Sequence, residues 1–197
     1  MLRRRGTGQG AEVLRIFVTL SLSFVSAAAF AAPTPVDGKA AFDTQVGCWS
    51  GQNRLILKRL VGSHDWIEFK STRHLWQLKD GYVNVDDEVT YMQSGTYHGA
   101  NLRAYDPKSG QWTTWVITGG NDLDPPLRGK FVDGVGTLYG EDNLDGKPIR
   151  VRFTWSQMTS ASAHWEQAYS ADGGKTWETN WQVDYQRIPC PAGSSAG

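Results

Sequence analysis

The side chains that could do chemistry are few and scattered along this chain. Four histidines occur, His64, His74, His98 and His164. None is spaced as His-x-x-x-His or set in a close cluster, so no metal site is expected. His98 shares strand parity with Ala100, Leu102 and Ala104, whose apolar side chains suggest an inward face. An inward imidazole could act as a general base or ligate haem iron. The plainer alternative is a hydrogen-bonded histidine at a strand end. Tyr105 and Glu166 are the other acid–base candidates. There is no Gly-x-Ser-x-Gly elbow and no glycine-rich phosphate loop ahead of a helix. The acidic run Asp86-Asp87-Glu88 lacks the alternation of a calcium loop and reads as a solvated edge. Arg150, Arg152, Glu166, Glu178 and Asn180 fall on one parity of three neighbouring runs. Facing out, they would form cross-strand ion pairs; facing in, they would make a charged pocket for an anionic ligand.

Positioning such residues falls to β-strands. Turn signals recur at short intervals, among them Lys79-Asp80-Gly81, Asp133-Gly134 and Asn143-Leu144-Asp145-Gly146. Between them lie runs rich in Val, Ile, Thr, Tyr, Phe and Trp. Ile149, Val151, Phe153 and Trp155 alternate with Arg150, Arg152, Thr154 and Ser156, the period of a half-buried strand. About ten strands are predicted, over 46–58, 65–78, 82–92, 97–105, 111–118, 127–132, 135–142, 147–156, 162–170 and 176–187. The one helical signal is a short turn near 38–43. Short connections predict antiparallel neighbours, and a long meander removes its exposed edges by closing. The expected class is all-β, a closed antiparallel up-and-down barrel, with a two-sheet sandwich as the alternative.

The chain has 197 residues, 20 basic and 20 acidic side chains and nine Trp. Neutrality argues against nucleic-acid binding. Residues 1–31 have a basic start followed by an apolar stretch, ending Ala29-Phe30-Ala31, the pattern of a cleaved signal peptide. The alternative, a membrane anchor, needs about 20 apolar residues. Removal of the leader turns the neutral chain mildly acidic and implies a periplasmic or secreted protein. No later segment is apolar enough for a membrane span. The expected organisation is the leader, a flexible lead over 32–43, one barrel domain over 44–190 and a loose tail over 191–197. The composition does not set the oligomeric state.

Cys48 stands at the start of the first predicted strand and Cys190 just past the last. If first and last strands pair antiparallel, a disulfide between these two staples the seam, and an exported protein permits it. Two unrelated buried thiols are the alternative.

Gly47-Cys48-Trp49 resembles the Gly-x-Trp opening of lipocalins and related calycin barrels, where an indole plugs the closed end. Arg187 could then lie over that ring. A longer series runs through Arg103-x-Tyr105-Asp106, Trp112, Trp115, Asp124-Pro125-Pro126, Gly129, Phe131, Gly134-x-Gly136, Trp155, Trp165-Glu166-Gln167 and Asp172-Gly173-Gly174 to Asn180-Trp181. It resembles a bacterial family of calycin-like β-barrel domains without an agreed activity. That resemblance implies the fold and supplies no catalytic residues. More distant cousins include fatty-acid-binding-like barrels and haem-binding nitrobindins; no cofactor is expected beyond that haem alternative. Ser170-Ala171-Asp172-Gly173-Gly174-Lys175-Thr176-Trp177 also fits the Asp-box of sialidase propellers, a hairpin fold without catalytic meaning in a single copy.

Three functions follow from one barrel. The first is binding of a small, mostly apolar molecule by Trp115, Tyr139, Trp155, Trp165 and Trp181, with His98 or Arg152 orienting a polar end and Asn121 and Asp124 at the rim. The second is an isomerase or lyase using the same cavity, with His98, Tyr105 or Glu166 as acid or base. The third is a structural module whose tryptophans fill the barrel solid.

Overall fold

The computed structural model describes residues 36–118 and 123–193. The predicted leader and rim residue Asn121 lie outside them. A 3-10 helix, Gly38–Gln45, precedes ten strands: β1 (Gly47–Ile56), β2 (Trp66–Leu78), β3 (Val83–Met92), β4 (Gly95–Asp106), β5 (Gln111–Thr118), β6 (Leu127–Val132), β7 (Val135–Leu144), β8 (Lys147–Ser156), β9 (Ser162–Ser170) and β10 (Glu178–Ile188). Each strand pairs antiparallel with its sequence neighbours, and β1 pairs with β10, so the sheet closes into a barrel. The expected closed all-β meander is therefore observed, and the sandwich alternative is not. Among the described residues no helix is long and apolar enough to cross a membrane.

Closure follows from register. Cys48 lies opposite Ile188 and Trp49 opposite Arg187. Cys190 is thereby carried beside Cys48, and the two form a disulfide with Cα atoms 5.1 Å apart across a sequence separation of 142. His74 stands next to this bond, 3.9 Å from Cys190 Sγ. Both sulfurs are committed to each other, so the Cys48–His74–Cys190 group offers no thiolate to a metal.

One end of the barrel is plugged. The 3-10 helix lays Phe42 edge-on against Trp112, Phe131 and Trp155, with centroids 5.0, 5.2 and 5.7 Å apart. Trp49 is fully buried, and its indole N–H donates to the Gln45 carbonyl at 2.8 Å. The Arg187 guanidinium covers that ring at 4.2 Å and donates to the carbonyls of Val46, Thr44 and Ser160. One arginine thus joins the last strand to the loop ahead of the first. Beside the plug the β6–β7 hairpin is pressed close. A Cβ at Gly129 would collide with the Thr137 carbonyl oxygen and lie 2.7 Å from Leu138 Cα, so only glycine fits.

The Asp-box forms as a local turn between β9 and β10. Asp172 accepts the backbone N–H groups of Lys175 and Thr176 and the Thr176 hydroxyl. These donors hold its carboxyl well below the usual aspartate range. Trp177 closes the turn through its indole N–H to the Gly174 carbonyl.

Candidate functional site

The other end is open. Between the plug and the mouth lies a cavity of about 820 Å³. Its two sides differ in chemistry. From β5 to β10 the inward rows supply Val116, Leu127, Val151, Phe153, Trp155, Trp165, Trp181 and Val183. Trp165 packs edge-on against Phe153 and Trp181, at 4.9 and 5.6 Å, and makes a continuous aromatic wall with them. The Trp181 indole is pinned by a hydrogen bond to Asn53 Oδ1 at 2.9 Å.

From β2 to β4 the residues that face the cavity are mostly polar. Register places Asp86 opposite Asn101 and Asn84 opposite Arg103. Arg103 donates to Asp86 Oδ2 at 2.6 Å and to Asn84 Oδ1 at 3.2 Å, and Asn101 donates to Asp86 Oδ1 at 2.8 Å. Arg103 and Asp86 are both buried, so losing either would strand the other's charge at a cost of about 3–5 kcal/mol. Arg73 lies deeper and is differently held. It donates to Gln45 Oε1 at 3.0 Å, and its guanidinium lies 4.2 Å from the Tyr185 ring and 5.0 Å from the Trp155 ring. Its Nε and Nη1 have no hydrogen-bond acceptor. Glu88 stands between this floor and the open volume. Both its oxygens lie 3.1 Å from the Tyr185 hydroxyl. Burial raises the Glu88 pKa above its ordinary 4.5, with Asp86 adding to the rise, against the lowering pull of Arg73, Ser71 and Tyr185. Burial and the neighbouring Glu88 likewise push the Tyr185 phenol up. The rim carries Arg59, Asp124, Glu141 and Asp142. Partial burial raises the Asp124 carboxyl, and Asp142 adds to this.

Of the residues singled out in the sequence, Trp155, Trp165 and Trp181 stand on the cavity wall and Asp124 at its rim. Three assignments are corrected. Trp115 pairs with Leu102 on the outward row, because the inward positions of β5 are Trp112, Thr114 and Val116. Tyr139 is 41% exposed and lies outside, its ring tilted against Trp177 with centroids 5.8 Å apart. Arg152 also faces out, its guanidinium 4.7 Å from the Trp177 ring. His98 does line the cavity, at its exposed mouth, although its row, opposite Val89, turns outward deeper in β4. The inward row of β4 is Asn101 and Arg103, the reverse of the apolar parity expected there.

The catalytic candidates fare similarly. Tyr105 packs on Trp112 at the plug, and Glu166 lies outside, accepting from Gln182 and facing His164. Neither reaches the cavity. Asn180, expected outside with Arg152, is fully buried because a bulge between Thr179 and Trp181 turns it inward onto Gln167. Among the described histidines His74 and His164 lie outside the barrel, His64 is an exposed loop residue and His98 lines the exposed mouth of the cavity.

The residues that sequence reasoning missed are Arg73, Asp86, Glu88, Asn101, Arg103 and Tyr185. Their signal was the alternation Asn84-x-Asp86-x-Glu88 opposite Asn101-x-Arg103 in the next strand, complementary charges on one parity of a hairpin.

No family model matches the chain, and no curated protein does. Among solved structures it is similar to the S-type phycobiliprotein lyase CPES from Guillardia theta, with a TM-score of 0.53 and 10% identity over 76% of this chain and 92% of that one. The likeness is one of fold.

Proposed function

We propose that this protein binds a small, largely apolar molecule inside its barrel, and that it does so outside the cytoplasm. The observation that carries the reading is the open cavity of about 820 Å³ walled by Trp155, Trp165 and Trp181. A purely structural barrel of this size would fill that space with side chains. The volume falls in the range of small-molecule sites, about 300–1,000 Å³, and the lining has their character of apolar walls with a few placed polar groups. The related fold of a phycobiliprotein lyase supports a barrel that handles small molecules. Binding is favoured because the enclosing wall is largely apolar, while of the three acid–base candidates Tyr105 and Glu166 lie away from the cavity and His98 only at its mouth. Export rests on the leader-like residues 1–31, and the disulfide is compatible with an oxidising compartment.

The test is a titration of the purified mature chain with a panel of apolar lipids, pigments and cofactors. Occupancy should quench the tryptophan fluorescence of the wall and raise the melting temperature. A broad panel that changes neither would overturn the reading.

A further inference from the structure

We propose that the cavity takes an amphiphile by its anionic end: an apolar or aromatic body lies on the tryptophan wall, and one carboxylate is held at the floor by the Glu88 carboxyl and the charge of Arg73. This deepens the binding reading and rests on it.

Three observations on the floor point the same way. The first is charge. Arg103 is matched by the buried Asp86, which accepts from Arg103 and Asn101, whereas the carboxyl nearest Arg73 is that of Glu88. Arg73 has no carboxylate within ion-pair distance among the described residues; its contacts are Gln45 and ring faces. A buried cation of this kind is costly unless something of opposite sign compensates it.

The second is the unused donor capacity of Arg73. It is 2% exposed, it lies on the cavity wall, and Nε and Nη1 are without acceptors. The third is Glu88. Its charged and titratable neighbours are Arg73 from β2, Asp86 from its own strand and Tyr185 from β10, with the Ser71 hydroxyl beside it. Burial favours the neutral acid, and a neutral acid can donate a hydrogen bond to a carboxylate. With Glu88 neutral, the floor keeps a net positive charge from Arg73. An ammonium group would meet that charge and a proton donor, both unfavourable.

The rim has the opposite sign, with Asp124, Glu141 and Asp142 against Arg59. Charge therefore changes sign along the barrel axis. A bound anion sits below the wall, and a cation is left at the mouth.

The same geometry makes binding depend on pH. As pH rises, Glu88 loses its proton and sets a second negative charge beside the ligand's carboxylate. Affinity for the anion then falls.

The experiment uses three probes with one body: pyrenebutanoate, pyrenebutanol and pyrenebutylamine, titrated by energy transfer from tryptophan to pyrene. At about pH 5 the carboxylate should bind about tenfold more tightly than the alcohol, the scale of one charge-assisted hydrogen bond, and the amine most weakly. Between about pH 5 and about pH 9 the carboxylate's advantage should shrink in the wild type and stay flat in Glu88→Gln, which keeps a donor and cannot ionise. An alcohol as tight as the carboxylate at every pH, an amine tighter than both, or an unchanged pH profile in Glu88→Gln would overturn the anion proposal while leaving cavity binding intact. Failure of all three probes to bind would overturn both.

Discussion

A carboxyl group placed below a tryptophan wall, as Glu88 is, keeps its proton to higher pH than it would in water. This ties the stability of the fold to pH with a definite sign. The unfolded chain loses the Glu88 proton near 4.5, the folded chain only above that value. Between the two pKa values the folded state holds the Glu88 proton more tightly, so the contribution of Glu88 to stability falls as pH rises and is most favourable below 4.5. Glu88→Gln removes the ionisation. Its melting temperature should exceed that of the wild type at about pH 8 and converge on it at about pH 4, read from parallel thermal melts. Outside the barrel His164 contributes in the same direction. Burial lowers its pKa, but hydrogen bonds to Asp184 and Glu166 raise it by more, above the ordinary 6.5. The stabilisation from those contacts is complete below 6.5 and is lost as pH rises through the folded value. Single residues were the least legible part of the sequence. Asp86 and Glu88 in a run of three acids look like surface, and only their opposing Asn101 and Arg103 reveal an interior network.

Strands were far more legible, because period-two alternation and turn residues act locally. The spans expected for β5, β6, β8 and β9 coincide with those observed, and the others differ by a few residues at their ends. Which face points inward was legible only where the interior is apolar. On β8 the expected row Ile149, Val151, Phe153 and Trp155 is the buried one. On β3 to β5 the rule inverts: Asn84, Asp86, Arg103 and Thr114 are inside, while Val85, Leu102 and Trp115 form a cross-strand row outside. A hydrogen-bonded polar interior removes the usual penalty for burying polar groups, and with it the pattern that parity arguments rely on. The tight β6–β7 hairpin gives a test at this scale. Gly129→Ala forces a methyl group into the backbone of β7 and should cost about 2 kcal/mol or more in denaturant unfolding. An unchanged midpoint would show that the two strands separate freely.

In the whole molecule the seam between β1 and β10 carries the largest entropic demand, since it joins residues 142 apart in sequence. The disulfide removes most of that demand from the unfolded chain. Replacing both Cys48 and Cys190 by Ser should lower the free energy of unfolding by about 2–5 kcal/mol, measured by denaturant titration without reductant. Fold class was readable from sequence because closure follows from strand number and turn length; an open interior was not, since the same nine tryptophans fit a filled barrel. Only five of them, Trp49, Trp112, Trp155, Trp165 and Trp181, face inward, and two of these serve the plug. The ring is also uneven. The seam is laddered along its length and bolted at one end. Between β5 and β6 only Trp112, Thr113 and Thr114 find partners, Gly129, Arg128 and Leu127. Toward the mouth the ladder gives way to the Asp124 N–H donating to the Val116 carbonyl at 3.0 Å, because Pro125 and Pro126 have no N–H to give. Stiffness around the hoop is therefore uneven, and amide hydrogens of β5 and β6 should exchange with solvent sooner than those of the bolted seam.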